Sequence, residues 1–330
     1  GELEISPQSW GDKGGLSQTW GARGAKLTLN EGEGGQKTDN SSLLLGGTEG
    51  GYTPLIVQNE IITLPSASSL AILREQVQGR TPAPKKVAVI ADPVFEQNDP
   101  RFQIASSTKT ETNDVNKIVL RQATNEDYFA KSLGRLQHTR QEAEAILALV
   151  PDNLERLALD FNANRQTAIN PNLAEYQIVH FATHGLLNES QPELSGLVFS
   201  LYDETGTQKP GFLQLSDIFN LTLSADLVVL SACQTGIGQD IRGEGLVSLT
   251  RGFMYAGAER IVVSLWAVAD DSTSELMQNY YQKILETGSN PATAMRETQL
   301  EMIQSDTRNA PYFWAPFVFQ GEWKTGLSTR

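Results

Sequence analysis

A single cysteine, Cys233, and a histidine, His184, hold equivalent places in this chain. Cys233 follows the apolar run Leu227-Val228-Val229-Leu230-Ser231, and His184 follows Gln177-Ile178-Val179-His180-Phe181-Ala182. Each is followed by a glycine within three residues. A thiol and an imidazole delivered just past two buried strands suit covalent thiol catalysis, in which a base removes the proton of a weakly acidic thiol. Of the three histidines, His184 is the better base. His180 lies inside its strand, and His138 precedes a helical stretch in polar surroundings and carries no assigned role. Gly185 permits a sharp turn, so the N–H groups of Gly185 and Cys233 can point together at a developing oxyanion, each such donor being worth about 3 kcal/mol. Asn188 and Glu189 are near enough in sequence to orient the imidazole, but spacing singles out neither, and a dyad is expected. A lone cysteine beside a Val-Val-Leu strand also reads as a small buried hydrophobe, and a lone histidine as a structural hydrogen bonder. The residues by themselves leave both readings open. A disulfide within the chain is excluded, because Cys233 has no partner.

Two other chemistries are weaker. Gly236, Gly238, Gly243 and Gly245 resemble a phosphate loop, but the Lys-Ser/Thr step of a Walker motif is absent. Zinc held by His180, His184 and Cys233 is a weaker reading, because no fourth ligand is specified and strand geometry separates the two histidines. No metal and no cofactor are expected. The 330 residues carry 26 basic and 39 acidic side chains, a net charge of -13. No basic patch is visible for a phosphate backbone, so nucleic acid is not an expected ligand, whereas a cationic peptide would be drawn to the acidic field. No run of eighteen apolar residues exists, so a membrane span is not expected. One free cysteine fits a reducing, cytoplasmic setting. No signal peptide is recognisable, and the chain opens at Gly1 without a methionine, as a piece or processed form of a longer protein would.

The elements that must position these residues alternate in kind. Residues 1–51 are glycine-rich, with short runs such as Ala25–Leu29 and Ser42–Leu45 able to form edge strands. Residues 52–150 follow as a first part and 151–330 as a second part that carries the chemistry. Pro54–Leu64 reads as one or two short strands, and Leu70–Glu75 as a helix capped by the serines before it. Lys86–Pro93 reads as a central parallel strand and residues 96–128 as a long loop. Thr139–Leu149 reads as a helix with Ala143, Ile146, Leu147 and Val150 inward and a Thr139/Glu142 capping box. Beyond it come a strand at Leu157–Phe161, a helix over Gln166–Tyr176, the His184 strand, a hairpin-like Gly196–Tyr202 and a short helix at Ser216–Leu221. The Cys233 strand is followed by a helix at Glu244–Ala256, a strand at Arg260–Leu265, helices at Asp271–Leu285 and Asn290–Ile303, and a last strand at Trp314–Gln320. Such alternation predicts an α/β three-layer sandwich, a mostly parallel sheet with helices on both faces and its functional loops beyond the strand C-termini.

Those stretches resemble the CHAT domain, a caspase-like domain often joined to tetratricopeptide repeats in bacteria. The resemblance rests on Val179–Gly185, Leu227–Gly236, Gly243-Glu244-Gly245, Ala256-Gly257-Ala258, Ser264-Leu265-Trp266 and Trp314-Ala315-Pro316-Phe317. Weaker agreement at Pro65-Ser66 and Ala91-Asp92-Pro93 extends it over about residues 52–321. It implies a caspase–separase fold with a six-stranded central sheet, and a cysteine endopeptidase with His184 as catalytic histidine, Cys233 as nucleophile and Gly185 in the oxyanion hole. Separases have a Trp followed shortly by an aspartate near a basic P1 pocket. Here Trp266 and Asp270 are similarly placed, with Asp271 as rival. Caspase relatives are held back until a loop is cut or a partner docks, which makes Gly236–Gly245 a gate and Arg242 a self-cleavage position. The implied partners are a protein or peptide substrate and a regulatory protein or tetratricopeptide-repeat region. The Leu-Pro-Phe segment usual in related domains is missing or replaced by the glycine-rich region. An idle regulatory or scaffold domain that mediates protein–protein contact is the alternative.

Overall fold

Strands that are apolar on both faces assemble first in any account of this chain, because only a sheet covered on both sides can bury them. The computed structural model describes residues 53–102, 116, 120, 133–188, 190–231, 244–266 and 268–328. The glycine-rich region and the segment 232–243, with Cys233 and Arg242, lie outside the described residues. The first described elements are α1 (Leu55–Gln58), β1 (Ile62–Thr63), α2 (Ala67–Val77), β2 (Lys85–Pro93) and α3 (His138–Leu147). Then come β3 (Glu155–Asp160), α4 (Arg165–Ala168), β4 (Tyr176–Ala182), β5 (Gly185–Leu186), β6 (Gly196–Val198) and β7 (Phe212–Gln214). The chain goes on through α5 (Leu215–Phe219), β8 (Leu227–Leu230), α6 (Glu244–Tyr255) and β9 (Arg260–Ser264). It closes with α7 (Asp270–Leu285), α8 (Pro291–Gln304), α9 (Pro311–Trp314) and β10 (Phe317–Gly321).

The main sheet has the order β1-β10-β9-β8-β4-β2-β3 and is parallel throughout except at β10–β9. Six of its strands have four residues or more; the seventh, β1, is a two-residue edge. The mostly parallel α/β sandwich expected from the sequence is therefore what forms. Alternate residues of β4 point to opposite layers. Phe181 packs on Phe199 and Phe253, at centroid distances of 5.8 and 5.7 Å, beneath α6. Ala88, Ile90, Val179, Val228, Leu230, Ile261 and Val263 bury the same face, each large aliphatic contributing roughly 1.5–3 kcal/mol. His180 looks the other way, toward α3 and α7. Ala143, Ile146, Leu147 and Val150 are buried, as their spacing predicts. A small antiparallel sheet, β5-β6-β7, joins the α6 side. Gly196 is obligatory there, because a Cβ would sit 2.2 Å from Leu213 O.

Several local expectations need correction. Pro54–Leu64 contains the helical turn α1 and only the two-residue β1. The helix expected over Gln166–Tyr176 is broken by Pro171 into α4 and a 3-10 turn, Pro171–Glu175. The last strand starts at Phe317, after the helical turn α9; Pro316 has no N–H to donate, although its carbonyl accepts from Leu265 N at 2.9 Å. Within 96–128, Asn116 and Leu120 are helical and buried, not loop. The Thr139/Glu142 capping box does not form: α3 begins at His138, and Glu142 is fully buried beside His180. Ser66 does cap α2, its Oγ accepting from Ser69 N at 3.0 Å.

Candidate functional site

His184 falls in the bend between β4 and β5, at the C-terminal rim of the sheet. Its carbonyl accepts from Val198 N at 2.8 Å, tying the bend to β6. Its side chain is interior, the residue being 2% exposed, and the ring lies 4.9 Å from Phe95. Nε2 is 2.7 Å from Gly134 O, and Nδ1 is buried with no hydrogen-bond partner among the described residues. A carbonyl can only accept, so the proton is assigned to Nε2 and the lone pair to Nδ1. Burial pushes the imidazole below its ordinary 6.5, with the Gly134 bond opposing in part. The result is an imidazole that favours its neutral form, with an Nδ1 lone pair that no described residue engages.

The strand register says where the chain beside it comes from. Phe181 of β4 pairs with Leu230 of β8, and Ser231 N prolongs the pairing by donating to Phe181 O at 3.1 Å. His184 stands three positions past Phe181, and Cys233 three past Leu230. Neighbouring strands lie about 4.8 Å apart, so the described ends of β4 and β8, at Ala182 and Leu230, reach the same rim. Gly185 opens β5 opposite Leu197.

Gly134, missed by sequence reasoning, is the group that orients the imidazole; every residue has a carbonyl, so composition offers no signal. Asn188 instead closes its own turn, with Oδ1 accepting from Ser190 and Gln191, and Glu189 lies outside the described residues. His180 is held by different partners: Nδ1 is 2.9 Å from Tyr281 Oη, and Nε2 is 3.2 Å from Ser231 Oγ. Glu142 Oε1 lies 2.7 Å from His180 Nε2 but out of line for a hydrogen bond. Among the described residues no three metal-ligating side chains come together, and no described helix is long and apolar enough to cross a membrane.

Asp270 and Asp271 open α7 in different surroundings. Asp270 Oδ2 accepts from His138 N at 2.7 Å, capping α3 from another element. Burial raises its carboxyl above the usual range, the His138 bond opposing and Glu142 adding to the rise. Asp271 is paired with Arg308 at 2.5 Å, which holds its carboxyl low. Three residues separate Gly134, which accepts from His184, from His138, which donates to Asp270.

Between them lies a charge cluster that no sequence motif announces. Asp92, at the end of β2, and Asp160, at the end of β3, have φ values of 49° and 53°, the only positive ones among described non-glycine residues. Each conformation costs about 1 kcal/mol, although aspartate tolerates it better than most residues. Fully buried Asp92 accepts from Arg135 at 2.8 and 2.6 Å and from Arg140 at 2.9 Å, with Arg101 Nη1 at 3.0 Å. Asp160 receives Arg101 at 2.8 Å and Arg140 at 2.5 Å. Burial pushes the Asp160 carboxyl up, but these guanidiniums outweigh it and hold it low.

The CHAT domain pattern matches residues 42–322. Tetratricopeptide repeat protein 28 from Mus musculus is 33% identical over 109 residues, and that from Homo sapiens 30%. Each match spans 33% of this chain and 4% of the relative's own length. Among solved structures, two of the Saccharomyces cerevisiae separase–securin complex align with TM-scores of 0.44 and 0.41 at 10% and 12% identity. They cover 79% of this chain and 14% of the separase-complex chain.

Proposed function

Because this chain belongs to the CHAT domain family, we propose that it is a cysteine endopeptidase using a His184–Cys233 dyad. The observation that carries the reading is the buried imidazole whose Nε2–H is committed to Gly134 while Nδ1 stays without a partner among the described residues. In this mechanism Nδ1 takes the Cys233 proton, and the thiolate attacks the scissile carbonyl carbon. The oxyanion forms against the Gly185 and Cys233 amides. The imidazolium protonates the leaving amine; water, deprotonated by the same nitrogen, then frees the acid and restores the thiol. Cleavage after a basic residue is favoured by Asp270, since a half-buried carboxylate gains more from a guanidinium than a solvated one does. Asp271, already paired with Arg308, is the weaker choice. Arg242 is the proposed self-cleavage position, and a tetratricopeptide-repeat segment or partner the proposed regulator, as the relatives' names indicate.

Labelling with a chloromethyl ketone bearing a P1 arginine is the test. The label should map to Cys233, vanish in Cys233→Ala and fall steeply in His184→Ala. Absence of labelling under every activating condition would overturn the peptidase and favour a regulatory or scaffold domain, a reading supported by the 2% exposure of His184. Intact mass tests autolysis: a nick after Arg242 that persists in Cys233→Ala refutes it.

A further inference from the structure

Gly134 contributes a backbone oxygen, and a glycine carbonyl points nowhere by default, because the residue lacks a side chain to restrict it. A Cβ built on Gly134 would find nothing within 4 Å, so packing at this position does not aim the oxygen either. The aim comes from its neighbours. On one side Leu133 is buried in the cluster of Phe95, Leu186 and Val198. On the other, Arg135 grips Asp92 with Nε on Oδ1 at 2.8 Å and Nη2 on Oδ2 at 2.6 Å, a two-pronged contact that fixes direction as well as distance. Asp92 is itself immobilised, with its N–H donating to Thr139 Oγ1 at 3.2 Å and Arg101 and Arg140 on its carboxylate.

We propose that Arg135, clamped by Asp92, is a positioning residue: it holds the Gly134 carbonyl on His184 Nε2 and so keeps the proton off Nδ1. Among the described residues, the side-chain hydrogen bonds of Arg135 go to Asp92. Its effect on catalysis rests on the reading of His184 as the base, but its effect on the tautomer does not. Without the grip, the 133–136 stretch is held only by buried Leu133 and by the Thr139 bonds to Leu136 O on the far side of Arg135, Nε2–H loses a fixed acceptor, and the two neutral tautomers mix. Arg140 supplies a control, because it binds the same carboxylate from within α3, outside the 133–136 stretch.

The test uses the whole chain with 15N-labelled histidine, and NMR reads which ring nitrogen of His184 carries the proton in wild type, Arg135→Ala, Arg135→Lys and Arg140→Ala. Asp92 keeps two arginines in each variant, so the fold persists, and thermal unfolding checks it. Wild type and Arg140→Ala should show Nε2–H alone. Arg135→Ala should show a mixture, and so should Arg135→Lys, which keeps the charge but not the two-pronged contact. Peptide turnover, where present, should fall about 10- to 100-fold in kcat in the Arg135 variants, with KM little changed. An unaltered tautomer in Arg135→Ala overturns the proposal, whatever the activity. So does an equal disturbance in Arg140→Ala, which marks general loosening. If wild type proves inactive on every peptide, the peptidase reading fails while the tautomer experiment still decides the role of Arg135.

Discussion

Replacing Asp92 with asparagine removes one charge from a cluster in which three carboxylates, Asp92, Asp99 and Asp160, face three guanidiniums, Arg101, Arg135 and Arg140. The substitution keeps the volume, but an amide oxygen can serve only one side of the site. Its NH2 would then confront donors: either the Nε of Arg135 and the Nη1 of Arg101, or the Nη2 of Arg135 and the Nε of Arg140. Removing one member of a buried ion pair costs about 3–5 kcal/mol. The arginine side chains are 13–30% exposed and can turn partly to water, which places the expectation near the lower end, about 3 kcal/mol. Asp160→Asn is the internal control. Its side chain is 34% exposed, so the same chemistry should cost about 1 kcal/mol after solvent screening. Urea unfolding followed by tryptophan fluorescence measures both, with a lower midpoint and an unchanged slope as the sign of a pure stability effect. On heating, the Asp92→Asn loss corresponds to a melting temperature lower by roughly 6–12 °C. A loss for Asp92→Asn no greater than that for Asp160→Asn would refute the reasoning that burial sets the size of the effect.

Stability should depend on pH through His184. Its imidazole titrates lower in the fold than its ordinary 6.5, chiefly through burial, so the unfolded chain binds the proton first. Stability is full above about 6.5 and declines as pH falls toward the folded value, by at most about 1.4 kcal/mol per unit. His184→Gln should flatten that stretch of the urea-midpoint profile, and an unchanged profile would contradict the assignment. Asp270→Ala should cost about 1 kcal/mol by removing the cap from His138 N, whereas Asp270→Asn, still an acceptor, should be nearly neutral in a thermal melt. If Asp270 reads a basic P1 residue, Asp270→Asn should nevertheless reduce cleavage after arginine. Gly134→Ala should fold with wild-type stability, since its Cβ meets open space, while Gly196→Ala should lose about 1–3 kcal/mol as its Cβ drives into Leu213 O. Equal melting temperatures for the two glycine variants would count against the described approach of β6 to β7.

What the sequence made legible follows from the range of the forces involved. β2, β4, β8 and β9 are runs of β-branched and other apolar residues, and burial on both faces is written directly in their composition. The place of His184 at the end of β4 was legible because it follows such a run and precedes a glycine. Its orienting partner was not, because the Gly134 carbonyl lies fifty residues upstream and is chemically indistinguishable from any other. Glu142 misled for the same reason: the spacing from Thr139 matches a local cap, but the carboxylate lies against His180 on β4. The Asp92 cluster depends on three arginines from two segments, Arg101 and the stretch from Arg135 to Arg140, and no periodicity encodes such a meeting. Proline breaks at Pro171 and Pro316 were visible letter by letter, yet their outcome depended on neighbours that only the fold supplies.

The three-residue overhang of His184 beyond Phe181, which pairs with Leu230 on β8, governs how this chain can change length. Between β4 and β8, exposed turns such as that at 203–207 can gain or lose residues, as surface connections do, while the paired strands β6 and β7 and the buried Leu197, Phe199, Leu213 and Ile218 cannot. Inside the overhang the tolerance ends. Deleting Thr183 alone would move the histidine one place closer to β4 and swing its ring toward the opposite layer, because successive side chains alternate. Insertions are thus tolerated at the exposed turns of that crossover but not within the three residues after Phe181.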